Sequence, residues 1–196
     1  MRYAVIDVET TGLNPHSAIV LELGIVIDDV KWWGEDVSEL PTFHTYIKPP
    51  EIFPSQLEAA VINAELFKKI QDAGDLAQPE QNITNLVWQF LDSQGLRDVG
   101  QGEKITFNVA GKNPRFDMSF LECMPNWTSR LRARHRVLDP GILFAEENDE
   151  KIPNLQECWN RAFPERPLTV PHTAVEDAQI TARVLRVGLM RQWNMI

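Results

Sequence analysis

Cysteine is scarce in this chain, and so is positive charge. Two cysteines in 196 residues, Cys123 and Cys158, cannot build a disulfide framework. Both fall in segments that read as helices, so a packing role in a reducing, cytoplasmic setting is expected. No apolar run approaches the roughly 20 residues of a membrane span, and the amino terminus enters a strand at once without the layout of a secretion signal, so neither membrane insertion nor export is expected. Lys and Arg number 19 against 28 Asp and Glu, a formal charge of −9, which excludes a protein that holds nucleic acid by a broad basic surface. Repeats, low-complexity tracts and recognisable linkers are missing too.

What remains is a chain of single-domain length, residues 1–196, with 43% hydrophobic residues to fill one core. Tyr3 to Val8 alternates as a strand, Ala18 to Ile27 reads as a strand buried on both faces, and Thr42 to Ile47 as a third before Pro49 and Pro50. The short connections make this an antiparallel meander, with Lys31 to Leu40, including Trp32 and Trp33, as a link packed over the sheet edge. Helical spacing follows. Ser55 and Glu58 form a capping box ahead of Leu57, Val61 and Ala64, with Gly74 closing that helix, and Ile83, Leu86, Val87, Phe90 and Leu91 make a second stripe ended by Gly95. After a loop from Arg97 to Glu103 come a strand at Ile105 to Val109, a short one at Arg136 to Leu138, and helices at Asn154 to Phe163 and Ala174 to Met190. The pattern predicts an α/β fold, a five-stranded mixed sheet flanked by helices.

Three acidic clusters fall where strands end or helices begin, the places where such folds collect ligand-facing side chains. In VIDVETTGL, Asp7 and Glu9 share one face of the first strand, their α-carbons about 6.5–7 Å apart, a spacing from which carboxylates can converge on a metal pair. In GKNPRFDMSFL, Asn113 is read as an N-cap and Pro114 as the first helical residue, which puts Asp117 in the first turn. In PHTAVEDA, five residues separate His172 from Asp177, and inside one helix they would point about 140° apart. A Thr173–Glu176 capping box resolves this by starting the helix after His172, which brings the imidazole to Asp177 as the partners of a staple meet. Each cluster alone has a bland reading: acids at a wet strand end, a helix-dipole partner, a surface histidine. Together they predict a two-metal phosphodiester site, with His172 as general base and Mg²⁺ or Mn²⁺ favoured by hard oxygen ligands. One basic run, Arg130, Arg132, Arg134, His135 and Arg136, reads equally as a guide for phosphates and as a solvated face.

Carried by VIDVETTGLNP with IVLELGIVI, FHTYIKPP, GKNPRFDMSFL and HTAVEDAQITARVL, the sequence resembles the DEDDh family of 3′→5′ exonucleases, within the ribonuclease H-like group. The resemblance covers nearly the whole chain. It implies a ribonuclease H-like fold, metal ligation by Asp7, Glu9, Asp117 and Asp177, and His172 as base. It also implies that Thr10, Thr11, Gly12 and Leu13 lie against the terminal nucleotide and that Asn113 lies near substrate. Leu13 and Phe116 are the candidates to stack on a base, or else core residues. The implied substrate is a single-stranded 3′ end, DNA ahead of RNA, with trimming of short or trailing RNA as the alternative, and a polymerase or a second copy as partner. A phosphatase-type nucleophile at Asp7 and a catalytically silent nucleic-acid-binding module are the competing classes. Lys112 departs from the family's frequent histidine, and Ser55 to Gly74 lacks the family's glycine turn.

Overall fold

Alternation carries the chain into β1 (Arg2–Thr10). Ala4, Ile6 and Val8 project to one side of the sheet, Tyr3 and Val5 to the other, and both sides are covered. β2 (Val20–Asp29) is buried along its whole length and pairs antiparallel with β1 and with β3 (Thr42–Lys48), which gives the expected meander. The computed structural model describes residues 1–53, 55, 61, 63–96 and 102–195. Beyond β3 come α1 (Ala64–Ala73), β4 (Gln78–Pro79), α2 (Glu80–Ser93), β5 (Ile105–Ala110), α3 (Pro114–Leu121) and α4 (Trp127–Arg130). β6 (Leu131–Leu138), α5 (Pro140–Leu143), α6 (Leu155–Ala162) and α7 (Ala174–Gln192) follow.

The strands form one mixed sheet in the order β4-β3-β2-β1-β5-β6. β5 runs parallel to β1, and β6 parallel to β5, so the carboxyl ends of these three strands gather at one end of the sheet. On one side Ile6, Val8 and Phe107 pack with Ile83, Val87 and Leu91 of α2 and Leu121 of α3. On the other side Tyr3, Val5 and Ala110 pack with Ala178, Ala182 and Leu185 of α7. A buried ion pair fixes α7 to the sheet. Arg186 donates through Nε and Nη2 to the two oxygens of Asp28 on β2, at 3.0 and 2.8 Å, and the Tyr3 hydroxyl donates to the same carboxylate at 2.7 Å. Removing one member of such a buried pair costs about 3–5 kcal/mol, because the other is left uncompensated. This anchor sits three turns below the start of α7 and so sets where the helix start falls over β1 and β2.

Several expectations are corrected. The sheet has six strands, because the two-residue β4 pairs parallel with β3. Apart from Arg130, which ends α4, the basic run lies within strand β6, which begins at Leu131 rather than Arg136. In α1 the buried positions are Leu66 and Ile70, whereas Ala64 is exposed, as is Val61 before the helix. Glu58 of the expected capping box and residues 97–101 of the expected loop lie outside the described residues. Cys158 packs in the core, but Cys123 is exposed in the turn after α3, and neither is bonded. Trp32 packs against the sheet, and Trp33 stacks on Trp193 with ring centroids 5.2 Å apart, as the packing reading expects. No helix among the described residues is long and apolar enough to cross a membrane.

Candidate active site

Asp7 and Glu9 come from the last turns of the pleat in β1, projecting to the α7 side of the sheet. Opposite Asp7 in the register stands Gly24 of β2, and opposite Glu9 stands Glu22. A side chain at position 24 would collide with α7, since a β-carbon built there meets the Ala174 carbonyl oxygen at 2.4 Å. The glycine lets the first turn of α7 settle onto the sheet, and Asp177 arrives over β1 as a result. Carboxylate oxygens of Asp7, Glu9 and Asp177 lie within 4.8 Å of one another. Asp177 is buried, and its Oδ1 has no hydrogen-bond partner among the described residues. A buried oxygen without a partner is costly unless something else satisfies it.

Asp117 reaches the same region from α3. Its Oδ1 accepts a hydrogen bond from the Val8 backbone N–H at 3.0 Å, tying the helix start to β1 between Asp7 and Glu9. The four acids repel one another's charge in a site short of water. Burial pushes Asp7 well above the ordinary carboxylate range, and the charges of Asp117, Asp177, Glu9 and Glu22 push it further. Burial likewise raises Glu9, Asp117 and Asp177 to about 7 each, and for Asp117 the Val8 amide pulls in the opposite direction. Carboxylates this crowded are held in their charged form by cations.

A pocket of about 420 Å³ opens over these groups, lined among others by Asp7, Lys112, His172 and Asp177, with Asn154, Gln156 and Thr169 on its far wall. His172 is exposed and adopts φ of 55°, a left-handed conformation at the position before the helix cap. Its backbone N–H supports the Asp177 carboxylate, lowering that group's pKa, while the side chain faces the pocket. The expected staple-like contact between imidazole and carboxylate is therefore replaced by a backbone one. The Thr173–Glu176 capping box also fails to form, because the Thr173 hydroxyl donates to the Glu176 side chain at 2.5 Å instead of accepting from the backbone.

Asn113 sits at the N-cap of α3 but in the left-handed region, with φ of 56°, and its side chain makes no cap. Its backbone N–H donates instead to Asp139 Oδ2 at 3.0 Å. Lys112, the departure from the family pattern, is 3.7 Å from the other oxygen of Asp139. In the turn after β1, Thr11 is fully buried: its N–H donates to Ile19 O, and its hydroxyl accepts from Ile19 N–H, each at 3.0 Å. Thr10 donates to Gly12 O at 2.7 Å. This framework presents Leu13 to solvent, 74% exposed. Phe116 is half-buried against Phe120 and belongs to the core.

Glu22 is a site residue that sequence reasoning missed. It is 1% exposed, accepts from Ala174 N–H at the start of α7 at 3.2 Å, and lies 2.6 Å from His44 Nε2 on β3. A lone acid inside the apolar run VLELGIVI was the available signal, since a buried carboxylate needs partners.

The family model for RNase_T-type exonucleases matches residues 4–185. The chain thus belongs to this exonuclease family, the DEDD-type nucleases of the ribonuclease H-like superfamily. A comparison with curated proteins finds no match.

Proposed function

We propose that this chain is a 3′→5′ exonuclease of the DEDDh type, hydrolysing the terminal phosphodiester of single-stranded nucleic acid, DNA ahead of RNA, to release nucleoside 5′-monophosphates. The observation that carries the reading is the cluster of Asp7, Glu9 and Asp177 oxygens within 4.8 Å, one of them buried and unpartnered. Hard oxygen donors of this kind suit Mg²⁺ or Mn²⁺. Asp7, Glu9 and Asp177 would hold the ions, with Asp117 completing the set. Bound divalent cations supply positive charge against the phosphate and acidify water at neutral pH.

The chain's own groups supply the rest. His172, exposed at the pocket's lining, takes the proton of the attacking water. Leu13, held out by the buried Thr11, offers an apolar surface for the terminal base, and Gly12 leaves room for the sugar. Asn113 and Lys112 stand where the next phosphate would pass. The open pocket beside them admits an unpaired strand. Residues 1–196 act together as one exonuclease domain.

Incubation with 5′-labelled single-stranded DNA and RNA, with Mg²⁺, Mn²⁺ or chelator, tests this directly. A ladder shortening from the 3′ end, dependent on metal, is expected. Internal cuts, shortening from the 5′ end, or equal activity in chelator would each reject the reading.

A further inference from the structure

Away from the catalytic end, positive charge is concentrated on β6. It is the edge strand of the sheet, and its residues Arg132, Arg134, His135 and Arg136 are exposed. Its pairing with β5 slips by two residues: Phe107 faces Ala133, but Val109 faces Val137. Residues 134–136 therefore bulge from the ladder. Beside the bulge lies a pocket of about 540 Å³ on the α7 side of the sheet, lined by Thr106, Asn108 and the basic residues of β6. Thr106 and Asn108 add neutral hydrogen-bonding groups to the cations. Neither Arg132 nor Arg136 has an acidic partner among the described residues. Basic residues on an edge strand discourage pairing with other sheets, but a mixture of signs would do the same. Here a chain of charge −9 places cations of one sign around a polar pocket.

We infer that this bulged edge binds the sugar-phosphate backbone of the single strand whose 3′ end lies in the catalytic pocket. The inference rests on the proposed exonuclease function. Charge complementarity selects a polyanion, and the direction of β6 selects the substrate. The strand runs toward the catalytic end, where Gly111 N–H donates to Leu138 O and Asp139 meets Lys112 of the catalytic pocket. Counted through the parallel registers, Arg132 lies about 20 Å from Asp7 along the strand direction. A dinucleotide held at Asp7 ends short of it, and a twenty-nucleotide strand reaches it.

The test compares the full chain with its Arg132→Gln/Arg136→Gln variant on 5′-fluorescein twenty-nucleotide dT and on a dT dinucleotide, both with Mg²⁺. The variant is expected to raise KM for the long strand by about tenfold, with kcat and dinucleotide hydrolysis unchanged. Its salt dependence should flatten by about 1.4 in log–log slope, the share of two phosphate contacts on a single strand. An unchanged KM and slope would overturn the inference, as would an equal loss on both substrates. A change in sedimentation state with KM unaltered would overturn it in favour of a contact between two copies. Anisotropy of the long strand with Ca²⁺ in place of Mg²⁺ separates the two claims. Weaker binding by the variant in Ca²⁺, with no hydrolysis by either protein in Mg²⁺, would sink the exonuclease reading and keep the surface, whereas hydrolysis in Mg²⁺ with identical binding in Ca²⁺ would sink the surface alone.

Discussion

Two helices bring an aspartate to this site from the same helical position and put it to different ends. α3 follows directly on the left-handed cap Asn113, whereas α7 follows the extended cap Thr173 with left-handed His172 one residue earlier, yet each carries an aspartate at its fourth position, Asp117 and Asp177. Asp117 gives one oxygen to the Val8 amide, so part of its function is to hold β1. Asp177 keeps a buried oxygen without a partner. The same helical position thus yields one carboxylate that ties its helix to β1 and one that keeps a buried oxygen open for a ligand.

Activity gives the largest test of that difference. Asp177→Ala or Asp7→Ala is expected to abolish nucleotide release while the far-ultraviolet circular dichroism spectrum stays unchanged, and retained turnover in either purified protein would refute the assignment. His172→Ala should slow the reaction by roughly 10²–10⁴-fold, the usual effect of losing an acid–base group, and remove the acidic limb of the pH–rate profile. A normal profile in that variant would take His172 out of the base role.

Stability should separate the two aspartates by sign. In chelator, Asp117→Ala strands the Val8 N–H and should cost about 1–3 kcal/mol. Asp177→Ala removes a buried oxygen without a partner and gives up only the backbone N–H of exposed His172, so it should raise the melting temperature. Two melts shifting the same way would end the distinction between anchored and open carboxylates.

A last test is the pH dependence of the metal-free protein. Glu9, Asp117 and Asp177 are raised to about 7 in the fold, above the unfolded values near 4. The folded state then binds more protons than the unfolded one between these limits, so stability is greatest below about pH 4 for these groups and falls as pH rises through 7. Saturating Mg²⁺ should flatten the slope by holding the carboxylates charged. Thermal melts from pH 5 to 8 with and without metal would show it, and a metal-free protein that gains stability over that range would contradict the burial of these charges.

The acidic clusters were legible because each is local: an alternating strand places Asp7 beside Glu9, and a helix start places Asp117 and Asp177. The fold class was legible from the same periodicities. What escaped was set by pairing between distant segments. Gly24 and Glu22 acquire their meaning only from the register that puts them opposite Asp7 and Glu9 and beneath α7. Asn113 and Thr173 occupy the expected cap positions, but neither side chain caps its helix, because Asn113 turns left-handed and the Thr173 hydroxyl bonds Glu176 instead. β6 was read short because arginines hide the apolar alternation that marks a strand.

The close approach of Gly24 to Ala174 also bears on timing. Some 150 residues separate these neighbours, so the chemistry requires a loop closure that waits for the last long helix to emerge and dock. A growing chain on the ribosome would carry three of the acids well before it could cut anything.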